Sequence, residues 1–135
     1  MEQATCSILL VSPVAMVRQG LRMLLEAEPG FGIAGEAINE EETVALLEKT
    51  RPHITMFYCT AHHPFPEKLI SRVAEHYPHI PLIIVAAADT IGELKMLARY
   101  QHKFEMMLIN PRVEDVLRTL RECAEHVFEI QSSGY

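Results

Sequence analysis

The sequence predicts an α/β domain: a parallel sheet of five strands, doubly wound, with helices on both faces. Three observations predict it. Short apolar runs of strand length recur five times, each is followed by a stretch whose apolar residues return every three or four positions, and Gly, Pro or Asn punctuate the joins. The chain of 135 residues, 49% of them hydrophobic, has the size and apolar content of one compact domain.

The first run covers residues 7–11, and Val14, Val17, Leu21, Leu24 and Leu25 then recur at helical steps. Pro29 and Gly30 end that helix. Residues 31–35 make a weaker second strand, whose glycines suit close packing or a sheet edge. Asn39 with Glu42 three positions on resembles a capping box opening the second helix, which runs through Val44, Leu46 and Leu47 to Arg51 and Pro52. Residues 54–58 form the third strand and 64–76 the third helix, with Leu69, Ile70 and Val73 inward. The run at 80–88 is almost wholly apolar, as a central strand buried on both faces requires. The fourth helix, 90–100, is expected to turn Ile91, Leu94, Leu97 and Ala98 to the core, and residues 104–109 to form the last strand. After Asn110 and Pro111 the fifth helix shows Val113, Val116, Leu117, Leu120, Cys123, Ala124 and Val127 at helical spacing. Residues 1–6 read as an N-terminal tail, 7–128 as the domain, and 129–135 as a polar tail or the start of a linker.

A net charge of −6 opposes a broad basic footprint, so direct contact with nucleic acid or an anionic membrane is not expected of this domain. Cys6, Cys59 and Cys123 are odd in number and form no CxxC pair, which predicts reduced thiols in a cytoplasmic protein. No basic segment ahead of an apolar core opens the chain, and no apolar run approaches the ~20 residues that span a bilayer.

Few residue groups suggest independent chemistry. Cys59, His62 and His63 fall within five positions and form a metal-type donor set, yet no second cluster completes a four-ligand site, so no metal is expected. Ser12 has no G-x-S-x-G turn and Pro13 follows it directly; no P-loop or G-x-G-x-x-G occurs. Met16, Gly20, Met23 and Ala27 follow at steps of four, three and four, one row on the first helix.

Ile8, Leu9, Leu10 and Val11, the stretch from Val17 to Glu26, and the Gly35, Glu36, Ala37 triplet resemble the receiver domain of response regulators in two-component systems. The LuxR/NarL (FixJ) type fits best. Arg51 and Pro52 before the third strand, and Tyr77, Pro78, His79, Ile80 and Pro81 before the fourth, extend the likeness over about residues 7–128. The resemblance implies a flavodoxin-like sheet in the order 2-1-3-4-5, with a pocket at the carboxyl ends of the strands.

Phosphoryl transfer in that pocket needs acidic residues after strand one for Mg²⁺, a carboxylate ending strand three, a hydroxyl ending strand four and a lysine after strand five. The matching positions here hold Ser12 and Pro13, Tyr58, Ala86, and Ile109 or Asn110. None carries charge. The aromatic switch of strand five falls at Met106 or Met107. A phenol of reference pKa ~10 is a poor nucleophile without a base beside it, so Tyr58 reads as an aromatic filling the vacated site.

The resemblance therefore implies a degenerate pseudo-receiver: no catalytic residue, no cofactor, and a phosphorylation-independent role in dimerisation or partner binding within bacterial transcription regulation. Regulators of the resembled type usually continue past the fifth helix into a helix-turn-helix output domain; whether this chain stands alone or is followed by one is left open by its sequence. The row of Met16, Gly20, Met23 and Ala27, with Phe128 at its edge, is the expected homodimer surface; Met96 and Tyr100 mark the alternative on helix four. A second reading makes the vacated pocket of Ser12, Tyr58, Cys59, His62 and Asn110 a small-molecule sensor, and a third makes the Cys-His-His loop a metal-dependent hydrolase.

Overall fold

The computed structural model describes residues 5–60, 62–104 and 106–133, with side chains as far as residue 128. The terminal residues 1–4 and 134–135, expected as tails, lie outside the described residues. The elements are β1 (Cys6–Val11), α1 (Ala15–Glu26), β2 (Phe31–Ala37), α2 (Glu40–Thr50), β3 (Ile54–Thr60), α3 (Glu67–His76), β4 (Leu82–Ala87), α4 (Ile91–Gln101), β5 (Met107–Ile109) and α5 (Val113–Ser133). All strand pairs are parallel, in the order β2-β1-β3-β4-β5. This is the flavodoxin-like α/β fold.

Side chains along a strand point alternately to opposite faces, and here both faces are buried. Leu9, Val11, Phe57, Ile84 and Ala86 pack under α2, α3 and α4, against Leu47, Leu69, Ile70, Val73 and Leu97. Ile8, Leu10, Ile54, Met56, Ile83 and Val85 pack under α1 and α5, against Leu25, Leu117 and Leu120. The register of β1 on β2 shifts between Ile8 and Leu9, and Gly35 lies at the shift, opposite Leu9. A Cβ at Gly35 would meet Leu46 Cδ2 at 3.2 Å, so the glycine lets α2 settle close to the sheet.

Local chemistry sets the helix starts. Asn39 Oδ1 accepts from the Glu42 amide at 2.9 Å. Thr90 and Glu93 form a complete capping box, each side chain accepting the other's backbone N–H at 3.1 Å. α3 begins at Glu67, three residues later than expected, because Phe65 precedes Pro66 and a residue before proline is pushed away from helical angles.

Three further differences have physical causes. In α4 only Leu97 is buried, while Ile91 is 72% exposed and Leu94 and Ala98 are also exposed. The helix lies over the sheet edge at β5, so a narrow stripe reaches the core: Leu97 and then Tyr100, whose ring stacks on Phe65 at 4.0 Å. β5 is shorter than expected because the Phe104 amide donates to the Tyr100 carbonyl at 2.9 Å, continuing the turn that ends α4. At the other end, α5 runs on through Ser133 where a polar tail was expected; helix propensity there outweighs polar composition. Among the described residues, no helix is long and apolar enough to cross a membrane.

Phe57 is among the largest fully buried side chains, 1% exposed at the centre of β3. Phe57→Ala is expected to lower unfolding free energy by about 3–5 kcal/mol through lost burial and the cavity left. Urea denaturation followed by circular dichroism measures it.

Candidate functional site

Parallel strands that start together also end together, and the carboxyl ends of β1, β3, β4 and β5 meet along one crevice. Ser12 and Pro13 follow β1, Tyr58 sits near the end of β3, Ala86 in β4 and Asn110 after β5. Ser12 is buried; its Oγ accepts from the Val14 amide at 3.3 Å and its own amide donates to the Ala37 carbonyl at 3.0 Å. Pro13 is exposed, Ala86 fully buried and Ile109 half-buried.

The sequence places Ser12, Tyr58, Cys59, His62 and Asn110 in one pocket. The structure divides that space at Tyr58, which lines two separate clefts. One, of about 550 Å³, also carries Ser12, Pro13, Cys59 and, in place of His62, His63. The other, of about 390 Å³, is lined by Ala86, Asn110 and Pro111 together with Leu21 and Leu24 of α1. The Tyr58 ring is half-buried against the core shared by α1 and α5. His62 turns outward, its side chain 77% exposed with Nε2 3.9 Å from the Asp89 carboxylate, while His63 Nδ1 lies 2.9 Å from Thr60 Oγ1. Among the described residues, no group of three or more His, Cys, Asp or Glu side chains is arranged to hold a metal ion.

Two contacts give the crevice its character. Arg18, on the second turn of α1, donates from Nη1 to the Ser12 carbonyl at 2.6 Å and from Nε to Glu36 at 3.3 Å. A guanidinium therefore lies against the loop where the resembled domains hold a divalent cation, and like charges repel strongly at short range. Asn110 adopts left-handed backbone angles, φ 48°, a conformation open to few residues besides Gly, Asn and Asp. From it the carboxamide accepts from the Ala88 amide and donates to the Ala88 carbonyl, both at 2.8 Å. That paired bond ties the loop after β4 to the loop after β5. The clamp is uncharged.

Arg18 belongs to the motif that carries the resemblance, yet composition gives no sign of its contact. Its position six residues past Ser12, at the start of an amphipathic helix, is the signal that bears on it. Of the two residues expected at the strand-five switch, Met107 is buried in the core beneath α4 and Met106 is half-buried on the opposite face.

Burial holds the Cys59 thiol up at about 12. Cys6 and Cys123 are held up at about 11, Cys6 chiefly by burial and further by Cys123, and Cys123 by burial alone. All three are free.

On α1, Met16 is 80% and Met23 73% exposed, with Gly20 and Ala27 exposed between and beyond them. A Cβ at Gly20 would meet nothing within 4 Å, so the row presents a low surface to a partner helix. Phe128 is half-buried against the α1/α5-side core, its ring edge-on to His53 at 5.3 Å. Met96 is 37% exposed, and Tyr100 is drawn onto Phe65.

No family model and no curated protein matches the chain. Solved structures do. A signal receiver domain of an HD domain-containing protein from Pseudomonas fluorescens superposes with a TM-score of 0.75 at 22% identity, over 98% of this chain and 96% of that one. The response regulator RcsB of Salmonella typhimurium gives 0.71 at 16%, over 97% and 68%. The anti-anti-sigma factor PhyR of Bartonella quintana gives 0.73 at 15%, over 98% and 52%. At these identities the likeness is one of fold, and the neighbours are receiver-domain structures.

Two outcomes follow. Asn110→Ala deletes both bonds to Ala88 and sets a Cβ-bearing residue without a carboxamide at positive φ; it is expected to cost about 1–2 kcal/mol in urea denaturation. A melt equal to the parent's would mean the clamp contributes nothing. Thiols held up at about 11 to 12 stay protonated at about pH 8, so a disulfide reagent should label none in the folded protein and all three in denaturant. Because the folded values exceed the ordinary 9.0, this contribution to stability is whole below about pH 9 and is lost as pH rises.

Proposed function

We propose that this chain is a receiver-like regulatory module that works without phosphorylation, by pairing with a second copy of itself or a partner protein, in the bacterial cytoplasm and in transcriptional control. One match to the resembled domains carries the reading: Ser12, Pro13, Tyr58, Ala86 and Ile109 or Asn110 align with the five positions that need two metal-binding acids, a nucleophilic carboxylate, a hydroxyl and a lysine, and all are uncharged. In-line transfer of a phosphoryl group depends on cations around its oxygens and a carboxylate to attack. The uncharged set, with Arg18 against Ser12, supports a domain that is neither enzyme nor phosphoacceptor and uses no cofactor. Solved neighbours supply the regulatory context, among them a DNA-binding regulator of the LuxR family from Staphylococcus aureus. This domain makes no nucleic-acid contact in this reading.

A module that needs no phosphorylation must present its interface at all times. The exposed row of Met16, Gly20, Met23 and Ala27 supports α1 as that interface, with isologous contacts about a twofold axis. Phe128, packed on His53, backs the α1/α5 face from inside.

A second reading rests on the cleft beside Tyr58. Its volume of about 550 Å³ and its largely aromatic and aliphatic lining suit a small organic ligand, which makes a sensor of the vacated site.

Sedimentation equilibrium tests the first reading. The parent is expected to be a dimer whose mass does not change with Mg²⁺ and a beryllofluoride phosphoryl mimic. Met23→Glu should weaken association by at least about tenfold, as a charge buried in an apolar contact requires, and Met96→Glu should leave it intact. A dimer that survives the first change and dissociates with the second would contradict the α1 interface.

A further inference from the structure

The larger cleft beside Tyr58 has a polarity of its own. One wall is the Phe65 and Tyr100 pair, stacked at 4.0 Å and 25°, and Phe57 and Leu69 contribute apolar floor. Pro64 and Pro66 stiffen the loop that carries Phe65, so the wall stands ready without a ligand to order it. Ser12, 1% exposed, also lines the cleft; its Oγ accepts from the Val14 amide, which leaves the hydroxyl free to donate to a ligand oxygen.

The charges at the mouth are unequal. Glu40 is held by Arg72 at 3.2 Å and Glu67 by Lys103 at 2.6 Å, so both carboxylates are already paired. Lys68 lines the same mouth, is exposed, and forms no ion pair among the described residues. One unpaired ammonium at the rim, aromatic walls and one free hydroxyl within make a poor phosphate site, since several cations ordinarily share a phosphate's charge. They fit a flat apolar body with a single anionic end.

We propose that this cleft binds a planar aromatic carboxylic acid: ring system against Phe65 and Tyr100, carboxylate at Lys68, and an oxygen at the far end accepting from Ser12. The proposal rests on the sensing reading and adds the ligand's class. Offset stacking and apolar burial supply affinity, and the ammonium selects the anion over its neutral analogue.

The probes are 6-hydroxy-2-naphthoate and its uncharged methyl ester, titrated into the full chain and followed by isothermal titration calorimetry. Saturable binding of the acid is expected. Lys68→Glu should weaken the acid by at least about tenfold and leave the ester within about twofold, the signature of one charge contact. Ile38→Trp, at the exposed mouth of the cleft, should weaken both probes by filling it. Both substituted side chains lie outside the core, and melting curves verify that the variants fold. If acid and ester bind alike in parent and Lys68→Glu, and Ile38→Trp blocks both, the site stands and the ligand class is wrong. If neither probe saturates, or Ile38→Trp changes nothing, the sensing reading falls with it.

Discussion

Burial of the sheet on both faces is the constraint from which the rest follows. β1, β3 and β4 carry side chains into two cores at once, so their backbones have no freedom to slide or tilt and their carboxyl ends stay side by side. Ser12, Tyr58, Ala86 and Asn110, far apart in the chain, are brought to one crevice by that packing alone. The crevice therefore persists whatever its residues are, and a framework shared with phosphorylated domains does not entail their chemistry.

What distinguishes this crevice is charge. Removing a single well-placed electrostatic stabiliser costs roughly 3 kcal/mol of transition-state binding, about a hundredfold in rate. In the proposed reading the nucleophile, metal-ligand, hydroxyl and cation positions are all neutral, and the guanidinium of Arg18 at Ser12 is already engaged by a carbonyl and by Glu36. The Asn110 clamp on Ala88 acts in the same direction: it fixes mechanically the two loops that a lysine and a phosphoryl group would otherwise bridge. The proposed reading, a standing interface or an apolar ligand in place of a phosphoryl switch, is consistent with loops that are already tied.

Much of this was legible in the chain. Strands buried on both faces leave continuous apolar runs, and five of them announce the sheet; the resemblance supplied its order. Asn39 foretold a cap that the structure contains, whereas Glu42, read as the other half of a capping box, accepts from the Ile38 amide instead. The fourth helix was harder, because Ile91, Leu94, Leu97 and Ala98 offer a plausible core stripe. Its phase is set instead by the stacking of Tyr100 on Phe65, a residue in a proline-bound loop that helical periodicity does not register. The neutral positions of the crevice were readable from the motif alignment, whereas their partition by Tyr58 was not, since a ring's direction depends on which core its strand position faces. For the same reason the exchange of His62 for His63 and the reach of Arg18 to Ser12 emerge only in three dimensions.

The central claim is that this crevice cannot take a phosphoryl group. Incubation of the full chain with radiolabelled acetyl phosphate and Mg²⁺, followed by counting of acid-precipitated protein, tests it directly. Label no greater than that on the heat-unfolded chain is the result the account predicts. Stoichiometric, Mg²⁺-dependent label on the folded chain would contradict it.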